Sequence, residues 1–292
     1  MKDLFKQWFQ EVLAANMQTG LFRLVEETEY CRRLGYGIDQ TSSSSSKTER
    51  ILVSKDHLLQ YLRLSDVGSV GEDIERIRRQ GSNVASEGLE KARKLISMTE
   101  VNDWLSKDES KLLLVDGHSK SPGNGKTSPL SVFCASLATT LAQSESLIVL
   151  QYFCGHHSLD SDGLSAGPLG LIQSLLAQLL HQSDDILPES LDLDKELYNR
   201  VDHENIDNLC EVFGALFSQI NPTKISICIL DEIAEFEGDY GGWGDGMSLV
   251  AVQLREMVHT FDGLQMLKVL MTSADKSTVV SQRLQQEDKV SQ

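Results

Sequence analysis

Residues 121–127 read Ser-Pro-Gly-Asn-Gly-Lys-Thr. They follow a short apolar run, Leu112-Leu113-Leu114-Val115, that ends at Asp116-Gly117. Glycines let consecutive backbone N–H groups curl around an anion. A lysine reaches the β and γ phosphates of a nucleotide, and a neighbouring hydroxyl ligates Mg²⁺. A helix starting at this point aims its N-terminus at the same charge. Gly123, Asn124, Gly125, Lys126 and Thr127 therefore form the expected phosphate loop, with Thr127 as a Mg²⁺ ligand. Residues 132–142 read as the helix behind it, and Pro129 falls in a first turn, where proline is tolerated. The Walker A pattern G-x-x-x-x-G-K-[ST] has glycine where this chain has Lys120. That lysine either distorts the turn or adds a positive charge, and on this segment alone a loop without a ligand is the competing reading.

A second constellation lies downstream. Ile227-Cys228-Ile229-Leu230 is an apolar strand that runs into Asp231-Glu232, the Walker B arrangement. Asp231 is expected to hold Mg²⁺, directly or through water, and Glu232 to orient or deprotonate the attacking water. Ligands of open α/β sheets bind at this carboxyl end of the strands. The alternative is a strand ending in a solvated acidic loop. A third strand pattern, 267–271, ends in Thr272-Ser273. Thr272 is expected to face the γ phosphate, against the alternative of a strand running into a helix cap.

These residues need a sheet to hold them. Apolar runs at 112–115, 147–153, 225–230 and 266–271 suit strands buried on both faces. Helical patterns at 132–142, 167–180, 206–220 and 249–259 lie between them. The alternation implies an α/β fold, a parallel sheet with helices on both faces. A mostly helical region precedes it, giving an N-terminal part at 1–105 with a Ser-rich loop near 41–48, and a nucleotide-binding part at 106–292. In the first part, residues 4–13 and 21–34 have helical spacing. Residues 51–53 look extended, Ser54 looks like a helix N-cap, residues 67–70 read as a loop, and 72–80 and 87–98 as surface helices. Trp104 sits in a short helical lead-in at 100–105. No fifth strand beside the first is evident downstream.

Bulk properties narrow the functions. A net charge of −16 over 292 residues disfavours nucleic acid and anionic membranes as partners. No apolar run is long enough to span a bilayer and no secretory signal is evident, so a cytoplasmic location is expected. Much of the acidity falls in 183–211, which reads as a solvated face or loop. The five cysteines suit buried, reduced thiols. Cys154-Gly155-His156-His157 invites a metal reading, weighed against a strand end entering a loop.

The combination resembles the STAND-type P-loop NTPases, specifically the NACHT or nephrocystin-like nucleotide-binding domains of fungal signalling proteins. The resemblance covers roughly residues 101–280. It is carried by Trp104-Leu105, the loop 121–127, Tyr152-Phe153, the helix Leu171-Ile172-Gln173-Ser174-Leu175-Leu176-Ala177-Gln178-Leu179-Leu180, the acids after Ile229-Leu230, and Leu270-Met271-Thr272-Ser273. In such ATPases the strand ending in Thr272 lies between the two Walker strands. The family implies a signalling switch that binds ATP (or GTP) with Mg²⁺, couples nucleotide exchange to self-oligomerisation, and works with protein partners. Lys120 replaces its first glycine, and Ala274 stands where it places an arginine on the γ phosphate. The expected activity is therefore nucleotide binding with slow or absent ATPase turnover. The alternative is a degenerate P-loop domain serving as an interaction scaffold.

Overall fold

The computed structural model describes residues 49–64, 68–81, 94–95, 97–107, 109–118, 127–157, 166–238, 240–261 and 265–291. The helical expectations at 4–13 and 21–34, the Ser-rich run, most of 87–98, and the loop residues Gly123, Asn124, Gly125 and Lys126 lie outside them. In chain order the elements are β1 (Arg50–Ser54), α1 (Lys55–Tyr61), α2 (Gly68–Gln80), α3 (Thr99–Ser106), β2 (Lys111–Asp116), α4 (Pro129–Leu141) and β3 (Leu147–Phe153). Then come α5 (Gly167–Leu180), β4 (Ser190–Asp194), α6 (Lys195–Arg200), α7 (Ile206–Phe217), β5 (Ile225–Asp231), α8 (Trp243–Thr260), β6 (Met266–Ser273), α9 (Val280–Arg283) and β7 (Lys289–Ser291).

Five strands form one parallel sheet in the order β3-β5-β6-β2-β7. The apolar strand runs have the cause expected of them. Alternate residues of each strand face two separate cores. Leu112 and Leu114 of β2, with Cys228 and Leu230 of β5, pack under α5, α7 and α8. Leu113 and Val115, with Ile227 and Ile229, pack on the other face under α3 and α4. Strand β6 lies between β5 and β2, so the strand that ends in Thr272 separates the strand before residues 121–127 from the strand of the acids.

Three expectations need correction. A fifth strand does exist: β7 pairs in parallel with the end of β2, Leu114 to Asp116. Three residues carry no readable periodicity. The strand is set in place by tertiary contacts, among them Arg255 Nε to Asp288 Oδ2 at 3.1 Å. Residues 68–70 are helical, not a loop, because α2 buries Ile77 against the core beside α4 and tertiary packing overrides glycine propensity. Helix α8 begins six residues before the expected position 249. Its first residue, Trp243, packs edge-on against Phe236 with centroids 5.2 Å apart, which draws the glycine-rich segment into the helix.

The acidic stretch is also more structured than a solvated loop. Strand β4 pairs antiparallel with β1, joining segments from either side of residue 105 in one small sheet. Asp194 caps α6 by accepting from Leu197 N at 2.8 Å. The buried Lys55 donates to Asp184 Oδ1 and to Gln182 O, both at 2.8 Å. Ser54 caps α1 as expected, accepting from His57 N at 3.2 Å.

At the N-terminal edge of the main sheet, Lys268 of β6 is fully buried. Its ammonium donates to the carbonyls of Trp104 (2.8 Å), Lys107 (2.6 Å) and Glu109 (3.2 Å), tying the end of α3 to the sheet. Replacing Lys268 with Met strips three carbonyls of a buried donor. Urea denaturation is expected to show a loss of about 3 kcal/mol; a change below about 0.5 kcal/mol would show that water takes over these bonds.

Candidate functional site

Strand β5 is buried at every residue from Ile225 to Asp231. It delivers two carboxylates to the C-terminal edge of the sheet. Asp231 is 1% exposed and Glu232 is 8% exposed. The chain leaves the strand by a sharp turn: Glu232 has φ 56° and ψ 46°, the left-handed region, which a non-glycine residue adopts only when its surroundings hold it there.

Those surroundings are specific. Thr272, at the end of β6, donates its hydroxyl to Asp231 Oδ1 at 2.6 Å. The backbone N–H of Ala274 donates to Glu232 Oε2 at 2.9 Å. Ser128 and Ser131 form the capping box of α4, each hydroxyl accepting the other residue's N–H at 3.1 Å. The same hydroxyls act on the acids, Ser131 lowering the pKa of Asp231 and Ser128 that of Glu232. The start of α4 therefore lies at these two carboxylates. Cys134, one turn further on, lies 3.6 Å from the Thr272 hydroxyl.

Burial dominates the electrostatics. Loss of water holds Asp231 above the usual carboxylate range, against the opposing hydrogen bonds of Thr272, Ser131 and Cys134. Glu232 is also raised, first by burial and then by the charge of Asp231 beside it. The same burial, with the two acids nearby, pushes the thiols of Cys134 and Cys154 well up, so both stay neutral. Among the described residues no Lys or Arg pairs with either carboxylate. Glu232 Oε1 and Ser273 Oγ are buried without a hydrogen-bond partner among the described residues.

Such a pair suits a hard divalent cation, which takes oxygen ligands. Among the described residues no group of three or more His, Cys, Asp or Glu side chains is placed to hold a metal by itself. The Cys154-Gly155-His156-His157 segment follows the loop reading: it is a single 3-10 turn after β3, with His157 Nε2 2.7 Å from Asp73 Oδ2.

Thr127 is 2% exposed at the start of α4. Its hydroxyl donates to Gln80 Oε1 at 2.5 Å and lies 3.3 Å from His156 Nε2. The described site thus brings together Asp231, Glu232 and Thr272, with Thr127 entering from the same helix terminus as Ser128. Sequence reasoning missed Ser128, Ser131, the Ala274 amide, Gln80 and His156. The serines carried a signal, since Ser-x-x-Ser before an apolar helix is a cap pattern. Gln80 and His156 carried none, because their partners lie 47 and 29 residues away.

The family described as nephrocystin 3, N-terminal, matches residues 91–274. That span runs from ahead of α3 to the residue after β6, and it contains the segment 121–127, both acids and Thr272. No curated protein matches the chain. Among the described residues no helix is long and apolar enough to cross a membrane.

The buried acids predict a pH dependence. Unfolded, they titrate near their ordinary values of 3.8 and 4.5; folded, both hold their protons to higher pH. The folded state therefore binds more protons in that window, and stability falls as pH rises through it. Glu232→Gln keeps the acceptor for Ala274 N and removes one charge. It is expected to flatten the denaturation profile between the carboxylate range and neutrality, and to exceed the wild type at pH 7 by about 1 kcal/mol or more. A parallel profile for the two proteins contradicts the burial argument.

Proposed function

We propose, because the chain belongs to the nephrocystin 3 N-terminal family, a NACHT-like group, that it binds ATP (or GTP) with Mg²⁺ at the C-terminal edge of its sheet. The observation that supports this reading is the pair of buried carboxylates, without a Lys or Arg partner among the described residues, beside the N-terminus of α4. Burying two acids side by side is costly unless a cation compensates them. Lys126 and Mg²⁺ supply that compensation when nucleotide is present.

The roles follow from position. The backbone amides of Gly123, Asn124 and Gly125 cradle the phosphates and Lys126 reaches the β and γ oxygens. Thr127 and Asp231 hold Mg²⁺, which supplies charge neutralisation at the phosphates. Thr272 keeps Asp231 oriented and faces the γ phosphate. Glu232 has one oxygen held by Ala274 N and the other without a partner among the described residues, which leaves Oε1 to orient a water and accept its proton. Turnover is slow, since Ala274 offers a backbone amide where an arginine would stabilise the γ phosphate. Slow turnover suits a cytoplasmic signalling switch whose bound state is what partners or further copies read. In this reading residues 106–292 are the nucleotide-binding domain and 1–105 its helical extension. The same Ala274 also favours a second reading, a scaffold that keeps the fold without the activity.

Two measurements separate these readings. A fluorescent ATP analogue with Mg²⁺ should bind the wild type saturably and lose at least about tenfold in affinity with Lys126→Ala, a charge-assisted contact. No saturable binding, or equal binding by both proteins, refutes the switch. Phosphate release under single-turnover conditions should fall about a hundredfold in Glu232→Gln, the usual worth of a general base. An unchanged rate removes Glu232 from the chemistry.

A further inference from the structure

Helix α2 precedes the family-matched segment, which begins at residue 91, yet it reaches the nucleotide edge of the sheet. Gln80, its last residue, accepts the Thr127 hydroxyl hydrogen. Asp73, 4% exposed, bonds His157 Nε2 at 2.7 Å, and the His157 ring stacks on Tyr152 of β3 with centroids 4.6 Å apart. Between these two ties, Ile77 is fully buried in the core beside α4. Just past the helix, a Cβ on Gly81 would meet Val132 of α4 at 2.7 Å, so the backbone there lies directly against the helix that follows the phosphate loop. Helix α2 is therefore pinned at its middle by an acid–imidazole bond and at its end by close packing, with Gln80 delivered to Thr127.

A threonine hydroxyl has one hydrogen to donate and two lone pairs to offer. To ligate a cation it must present a lone pair and send its hydrogen elsewhere. The amide oxygen of Gln80 can only accept. Its bond to Thr127 takes up that hydrogen and leaves the hydroxyl lone pairs to a cation. Without Gln80 the hydroxyl is left with the longer contact to His156 Nε2 at 3.3 Å, which holds its hydrogen less firmly out of the cation's place. We infer that Gln80 is a positioning residue for the Mg²⁺-binding hydroxyl of Thr127, which makes helix Gly68–Gln80 a working part of the nucleotide site. The inference rests on the nucleotide reading above and assigns that site an element outside the family-matched segment.

The test is a Mg²⁺ titration of the full chain with a fluorescent ATP analogue, alongside binding of the same analogue in EDTA. Gln80→Ala should weaken Mg²⁺ affinity by about tenfold or more, as loss of a partner that orients a metal ligand does. Affinity in EDTA should stay within about twofold, since phosphate contacts of the loop are untouched. Gln80→Glu keeps an acceptor at the same place and should recover the Mg²⁺ response. Two results overturn the inference: a Gln80→Ala protein that titrates like the wild type, or one that loses affinity equally with and without Mg²⁺, as a merely structural helix would. Wild type that binds no analogue overturns the nucleotide reading and the inference with it. Wild type that binds, with Gln80→Ala unchanged, overturns the inference alone.

Discussion

Two carboxylates at the end of a strand buried on both faces set the terms for everything around them. Water is excluded from Asp231 and Glu232, and the charged form of each is disfavoured. Each polar group near them answers that cost. The hydroxyls of Thr272 and Ser131 support Asp231, and Ser128 and the Ala274 amide support Glu232. The left-handed backbone of Glu232 is what lets two consecutive residues both keep their acids at the strand end. In an extended continuation, alternation would send the second side chain to the opposite face of the sheet. The strand order then matters: β6 lies beside β5, so Thr272 and Ala274 arrive where the acids need donors.

The rest of the sheet is closed off, which concentrates polar chemistry at this one edge. At its N-terminal edge, the Lys268 ammonium is consumed by three carbonyls. Along the outer side of β3, the Gln178 amide bonds both the N–H (2.9 Å) and the C=O (2.8 Å) of Gln151, taking up backbone groups that an edge strand leaves open. Gln219 treats Asp192 of β4 in the same way, at 2.7 and 2.9 Å. After β6 the chain is fastened by Glu237, which accepts from Ser277, Thr278, Val279 and Val280. Asp116, at the end of β2, accepts from Ser277 N at 3.0 Å, and burial raises its own carboxyl as well. The loop that carries Ala274 is thereby held against the acids from both sides.

Much of this was readable in advance. The four long strands were legible because a run such as 225–230, apolar at both parities, has only one comfortable home, a sheet covered on both faces. Helices α5 and α7 were legible because their apolar residues repeat at helical spacing. The acids, the threonine and the lysine-threonine pair were legible as chemistry, since each motif sits where a strand ends or a helix begins. By contrast, β7 with one apolar side chain, β4 inside an acidic stretch, and the glycine-bearing first turns of α2 and α8 carried no usable pattern. Their conformations are imposed by partners distant in the chain: β2 for β7, β1 for β4, α4 for α2, and Phe236 for α8.

Sequence by itself determined the fold class and singled out the candidate groups, because burial pattern and residue type are local properties of the chain. Only the tertiary structure decided how those groups are partnered. It put Thr272 on Asp231, the capping serines of α4 on both acids, and Gln80 of α2 on Thr127. A hydrogen bond depends on two atoms meeting at the right distance and angle. Residues 47 positions apart acquire such a relation only when the whole sheet and its covering helices have formed.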